Sequence, residues 1–321
     1  MEVFQALILK LIPLYFIILL GFIAGKWLKV ERESIAPLLL YIVVPVVSFK
    51  GIVETEITWI TLSYPIFFFV TSATLALLFF TIGKKLFNDG EKAGLLSLCA
   101  GLANVGYFGL PLLFLLFDES ILGIAVLLML GLAIHESSVG FFVAASGKHS
   151  FKEALLKTLR LPAIYTSILA VACNLVYKYY PSLQYLDPAI ESLDTAMDKF
   201  VGAYTLLGML MIGLGLSQVR TLKFDWQFMS LGFLAKFICY PLMATIFILF
   251  NKYCCQIYDD LVLQVLFLLS IVPIGANTIT IATELKMDTD TVSITVLLST
   301  LFALVYIPFL VSIGSLCLGW F

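Results

Sequence analysis

Charge is scarce in this chain. Asp, Glu, Lys and Arg make up 12% of its 321 residues against 61% apolar, and mean hydropathy is +1.06. A soluble globular domain carries about 25% charged residues, so that class is excluded. Net charge is −2 and no basic block stands out, so no nucleic-acid partner is expected. The alternating ten-residue segments of an outer-membrane barrel are missing. Cys99, Cys173, Cys239 and Cys317 lie inside apolar runs, and Cys254 and Cys255 are adjacent near a loop. None has the spacing of a metal site or a disulfide framework. No Gly-x-Gly-x-x-Gly follows a strand and no Walker sequence is present, so no cofactor is expected.

What the chain has instead is apolar runs of about twenty residues, long enough to cross about 30 Å of hydrocarbon. The predicted fold class is an all-α membrane protein of ten transmembrane helices, at about 4–25, 35–53, 60–83, 93–117, 121–145, 161–179, 193–216, 228–250, 261–283 and 292–318. The first run follows Glu2 rather than a basic n-region and lacks an Ala-x-Ala signal, so it is read as a retained span. Basic residues collect on alternate loops: Lys26, Lys29 and Arg32 after span one, Lys84, Lys85 and Lys92 after span three, and Lys148, Lys152, Lys157 and Arg160 after span five. Arg220 and Lys223 after span seven and Lys286 after span nine continue the pattern. The positive-inside rule puts those loops in the cytoplasm and both termini outside.

A cytoplasmic connection at 148–160 divides the chain into two five-span halves, 1–147 and 161–321. An odd number of spans per half inverts the second half relative to the first. The fourth span of each half is interrupted, by Asn104-Val-Gly-Tyr-Phe-Gly-Leu-Pro111 and by Pro273-Ile-Gly-Ala-Asn277. Gly106 and Gly109 weaken the helix, and Pro111 and Pro273 each remove a backbone hydrogen bond. Hydrocarbon supplies no partners for freed backbone groups, so such breaks lie where protein or a cavity satisfies them. Paired breaks in corresponding positions point to a transporter's binding site. Where they cross, half-helix N-termini attract anions and C-terminal carbonyls hold cations, with Asn104, Asn277, Gly106 and Gly275 beside them. The alternative is that the breaks are packing kinks, with each Asn bonding a neighbouring helix.

Ionisable groups inside a span are costly and usually face a polar cavity. His135 and Glu136 are such groups, in span five. His135-Glu-Ser-Ser-Val139 begins like a metalloprotease motif, but Val139 stands where the second His is required. No metal site is assigned. Glu136 and His135 are candidates for a coupling ion, with Ser137, Lys236 and Thr278. Protonated, Glu136 carries a proton; ionised, it sits with Ser137, Ser138 and Asn104 as oxygens for sodium. The alternatives are a structural network of Glu136 with His135 or Lys236, and a Lys236 that snorkels to the interface.

Four stretches resemble the auxin efflux carrier family, which includes bacterial dicarboxylate permeases and the plant PIN-type carriers: Tyr41-Ile-Val-Val-Pro-Val-Val-Ser-Phe49, Asn104 to Leu112, Lys236 to Pro241, and Pro273 to Thr278. The resemblance implies a fold like that of bile-acid symporters and sodium/proton antiporters, with crossing helices 4 and 9. Helices 1, 2, 6 and 7 would form a dimerising scaffold, and helices 3–5 and 8–10 a mobile transport domain. It implies an organic-anion substrate bound at Asn104 and Asn277, helix breaks at Pro111 and Pro273, and a scaffold wall at Pro45, Val46 and Ser48. A homodimer in the bacterial plasma membrane is expected, working as a secondary active transporter of a mono- or dicarboxylate. A sodium/proton antiporter and a membrane-embedded receptor or enzyme are the rival readings.

Overall fold

The computed structural model describes residues 2–117, 121–145, 162–180, 187–217 and 224–318, and the connection at 148–160 lies outside them. Among the described residues the chain is helical, with one isolated β-bridge and no strand. Helix α1 is Glu2–Trp27. Helices α2 (Arg32–Leu38) and α3 (Val44–Val53) are joined by a π turn at Leu39–Val43. Helix α4 is Tyr64–Phe87 and α5 is Gly90–Gly101. After a break, a π turn at Val105–Gly109 opens α6, Leu110–Leu116. Helix α7 (Leu122–His135) continues through a π turn at Glu136–Gly140 into α8, Phe141–Ala144. Then come α9 (Pro162–Tyr179) and α10 (Asp187–Ser217). Helices α11 (Trp226–Leu234) and α12 (Tyr240–Phe250) are joined at Ala235–Cys239. Helices α13 (Asp260–Ser270) and α14 (Asn277–Glu284) flank the second break, and α15 is Thr289–Leu318.

Among the described residues, seven helical stretches are long and apolar enough to cross a membrane: Ile8–Trp27, Ser34–Val53, Thr61–Phe87, Leu122–Ala144, Glu191–Ser217, Trp226–Cys255 and Thr289–Gly314. The chain is therefore an integral, multi-pass membrane protein. The other three expected spans are helical too. Two are split by the breaks, into α5 with α6 and α13 with α14, and the third, α9, is 18 residues long.

Proline explains three of the π turns. Pro45, Pro111 and Pro241 each fall two residues beyond one. A proline ring clashes with the carbonyl four residues back. Here those carbonyls belong to Tyr41, Tyr107 and Phe237, all inside the widened turns. The extra residue moves the carbonyl aside without ending the helix. The turn at Glu136–Gly140 has no such proline.

Helix starts near the interfaces are capped by aspartate. Asp89 accepts from the Glu91 and Lys92 amides, Asp225 from Phe228, and Asp259 from Val262, each satisfying an otherwise orphaned donor. Helices α1 and α10 meet backbone to backbone: a Cβ on Gly21 would lie 2.3 Å from the Leu210 oxygen, and one on Gly213 2.0 Å from that of Ile18. Such small-residue contacts bind helices in lipid, where burial from water gives no drive. Lys50 of α3, buried, pairs with Glu54 at 2.6 Å and with Asp194 and Asp198 of α10 at 2.5 and 3.0 Å.

Candidate functional site

The two breaks lie side by side and complete each other. The Asn104 amide donates to the Pro273 carbonyl at 2.9 Å and the Gly275 amide to that of Leu102 at 3.1 Å, an antiparallel bridge between Ala103 and Ile274. The Ile274 amide donates to Ser299 Oγ of α15 at 3.2 Å. Backbone groups that hydrocarbon would leave unpaired are thus satisfied within the protein. Beyond the bridge, the Phe108 and Gly109 amides turn back to the Asn104 carbonyl at 3.3 and 2.9 Å. The stretch Val105–Leu116 and helix α14 start here; α5 and α13 end here.

A cavity of about 160 Å³ opens at this crossing. Asn104, Gly106, Gly275 and Asn277 line it from the two breaks, and Glu136 from the π turn after α7. Asn277 Nδ2 donates to Glu136 Oε2 at 3.1 Å. The opposite wall comes from α3, α9 and α10 through Ser48, Ser167 and Tyr204. The cavity is smaller than the ~300 Å³ at which drug-sized sites begin, and suits a small solute. A groove of about 390 Å³ between α4 and α12, lined by Ile66, Val70, Ile246 and Phe250, holds none of the expected site residues.

The crossing thus gathers Asn104, Asn277, Gly106, Gly275, Ser48 and Glu136, and leaves the other expected residues outside the lining. In the second span Val44, Val47 and Ser48 line it rather than Pro45 and Val46, since only positions three and four apart share a helix face. Pro273 contributes its carbonyl to the bridge, and Gly109 its amide to Asn104. Pro111 sits in the first turn of α6. The Ser137 hydroxyl donates to Ala133 O at 2.6 Å and that of Ser138 to Ile134 O at 2.5 Å, each back-bonded to its own helix.

Lys236 does not reach the interface. It is fully buried, with Nζ 3.7 Å from the centre of the Tyr240 ring, a cation–π contact, while the Tyr240 hydroxyl meets Ser72 Oγ at 2.7 Å. Neither Lys236 Nζ nor either His135 nitrogen has a hydrogen-bond partner among the described residues, so neither is hydrogen-bonded to Glu136. Thr278 Oγ1, in the first turn of α14, is likewise buried without a partner among them. Among the described residues no three His, Cys, Asp or Glu side chains converge as a metal site. Tyr204 and Ser167 were not foreseen: one aromatic and one hydroxyl in long apolar runs carry no local signal.

Residues 6–149 match the family described as membrane transport protein. Over 314 residues the chain is 25% identical to an uncharacterized transporter of Methanocaldococcus jannaschii, covering 96% of each chain.

Proposed function

From the premise that the chain belongs, through residues 6–149, to the membrane transport protein family, we propose that it is a secondary active transporter of a small organic anion. The observation that carries this reading is the crossing of the two breaks, with Asn104 and Asn277 lining one cavity between them. Two half-helix N-termini beside a small cavity favour negative charge there, and the asparagine amides are donors for a carboxylate.

In this reading ten spans form two inverted five-span repeats, with both termini outside the plasma membrane. Spans one, two, six and seven are the scaffold of a homodimer. The cavity's two walls fit that division: Ser48, Ser167 and Tyr204 belong to scaffold spans, while the crossing and Glu136 belong to the moving part. Sliding one against the other exposes the cavity to each side in turn. Glu136 is the coupling group, and no cofactor takes part.

A sodium/proton antiporter is the second reading, favoured by the Glu136 carboxylate in the cavity. Purified protein in liposomes separates the two. An anion transporter takes up radiolabelled carboxylates, driven by an imposed gradient. An antiporter instead exchanges sodium for protons with no carboxylate present, and that result would replace the present proposal.

A further inference from the structure

Resting on the reading of this cavity as an anion-carrying site, we propose that the carboxylate of its cargo docks on the first break alone, at the start of the Val105–Leu116 half-helix, where the Tyr107 phenol binds it beside Asn104. The two breaks are then unequal partners in one site.

Both half-helices that begin at the crossing, at Val105 and at Asn277, start with amides that no preceding turn can satisfy. They use these donors differently. In the second break the Thr278 and Ile279 amides close onto the Gly275 and Ala276 carbonyls, and the Asn277 side chain holds the Glu136 carboxyl at 3.1 Å. The chain brings its own carboxyl to that helix start. In the first break the Asn104 carbonyl takes the Phe108 and Gly109 amides, while those of Val105, Gly106 and Tyr107 have no partner among the described residues. Asn104 is the N-cap of this half-helix, yet its side chain makes no capping bond. An asparagine there ordinarily bonds the second or third amide itself. Amides and side chain are thus all left for an anion at the helix start. Asn277 holding a carboxyl in the second break is the pattern for Asn104 in the first, with the cargo in place of Glu136.

Tyr107 completes the grip. It follows the cap by three residues, the spacing at which side chains meet over a helix start. Asn104 and Tyr107 are 4% and 7% exposed, both line the cavity, and neither side chain makes a hydrogen bond with the described residues. Buried polar groups without partners are costly, and one carboxylate satisfies both, taking the amide on one oxygen and the phenol on the other. Two opposite charges act on Tyr107, those of Arg32 and Glu136. Their fields oppose each other at the phenol, so the docking place is fixed by direct donors, which are strong toward an ionised acceptor. The ring is held from behind by α10: a Cβ on Gly208 would stand 3.3 Å from Tyr107 Cα, and the Tyr204 ring lies 6.4 Å away. The Tyr204 hydroxyl itself packs over Gly106. Lys236 and His135 do not line the cavity.

Titration of the purified full chain in detergent with pyruvate and with lactate tests this. Tyr107→Phe keeps the ring and removes the donor, and it should weaken both anions roughly ten- to hundredfold, the loss of a hydrogen bond to a charged group, with thermal stability unchanged. Infrared difference spectra, with minus without pyruvate, on the wild-type chain carrying ring-deuterated tyrosine add a readout that a merely structural role would not move. A phenol C–O band should appear on binding, shifted as for donation to a carboxylate, and vanish in Tyr107→Phe. Should that variant not fold, Tyr204→Phe decides, because Tyr107 and Tyr204 are the tyrosines among the described lining residues: the band must survive it. Anion binding with no tyrosine band, a band lost in Tyr204→Phe, or wild-type affinity in Tyr107→Phe overturns the docking place and leaves the anion transporter standing. If neither pyruvate nor lactate binds the wild-type chain, and liposomes holding it take up no carboxylate, both readings fall.

Discussion

The two breaks are matched in position and opposite in construction. In the first, proline follows asparagine by seven residues, and Pro111 is absorbed by a π turn inside the second half-helix. In the second, Pro273 precedes asparagine and lies in the break itself, where its carbonyl receives the Asn104 amide. The asparagines differ accordingly. Asn104 precedes its half-helix, its carbonyl taking the first two bonded amides and its side chain lining the cavity with no bond to a described residue. Asn277 opens α14 and commits its side-chain amide to Glu136. Corresponding places in the two halves thus hold the same residue in different settings: the Asn104 side chain lines the cavity, and that of Asn277 holds the Glu136 carboxyl.

The sharpest way to break this comparison is to truncate each asparagine. Asn104→Ala removes a donor from a charged ligand in a desolvated site, which costs about 1.5 to 3 kcal/mol, or roughly ten- to hundredfold in affinity at every pH. Asn277→Ala removes a bond to the Glu136 carboxyl, a titratable group, rather than to the ligand, and a typical hydrogen bond is worth about 0.5 to 1.5 kcal/mol. Its loss should be several-fold and should change with pH. Isothermal titration with a bound carboxylate across pH measures both. Two variants with the same loss and the same pH profile would show the asparagines to be equivalent.

The position of this site was legible for a physical reason. A proline with one or two glycines in a lipid-spanning helix is expensive unless the freed backbone is paired, so Asn104 to Pro111 and Pro273 to Asn277 stand out against any apolar background. Which face of each span borders the cavity was not legible. A span that is apolar all round has no stripe from which to read a facing side, so Pro45 and Val46 were expected where Val44 and Val47 line the wall. Lys236 misled for a related reason. Its place near one end of a span suggests snorkelling, and only the folded chain sets the Tyr240 ring under its ammonium. The π turn at Glu136 left no mark in the sequence either, having no proline to announce it.

A smaller effect is expected where the first break meets the opposite wall. A Cβ on Gly106 would lie 2.6 Å from the Tyr204 hydroxyl of α10, too close for either to stay in place. Gly106→Ala should therefore displace Tyr204 and weaken carboxylate affinity about threefold to tenfold, in the range of a modest overpacking strain. Tyr204→Phe removes the clashing oxygen, so the double variant should regain most of the loss. Gly275 has no such conflict, its added Cβ meeting the Ala103 backbone at 3.3 Å, so Gly275→Ala should not respond to Tyr204→Phe. Titration of the four variants decides. A loss at Gly106 that Tyr204→Phe does not relieve would place its cause elsewhere.

The smallest difference lies far from the cavity, where the leading half-helices begin. Both α5 and α13 start at a capping aspartate, Asp89 and Asp259, but α5 is also tied sideways, because Lys92 in its first turn forms an ion pair with Asp225, the cap of α11. Burial alone would raise the Asp225 pKa; the Lys92 hydrogen bond and the Phe228 amide outweigh it and hold the carboxyl below its usual range. A carboxyl with a depressed folded pKa stabilises the fold above its unfolded pKa, near 4, and that contribution fades as pH falls through the folded value. Asp225→Asn keeps a good cap and removes only the charge. Its cost should be about 0.2 to 1 kcal/mol at neutral pH, the range of a partly exposed pair, and should shrink on acidification and in high salt. Thermal unfolding of the detergent-solubilised variant and wild type at several pH values reads this out. A deficit that persists unchanged once acidification has protonated the folded Asp225 carboxyl would assign Asp225 to capping rather than to the tie with Lys92, since both carboxyl and amide would then be neutral.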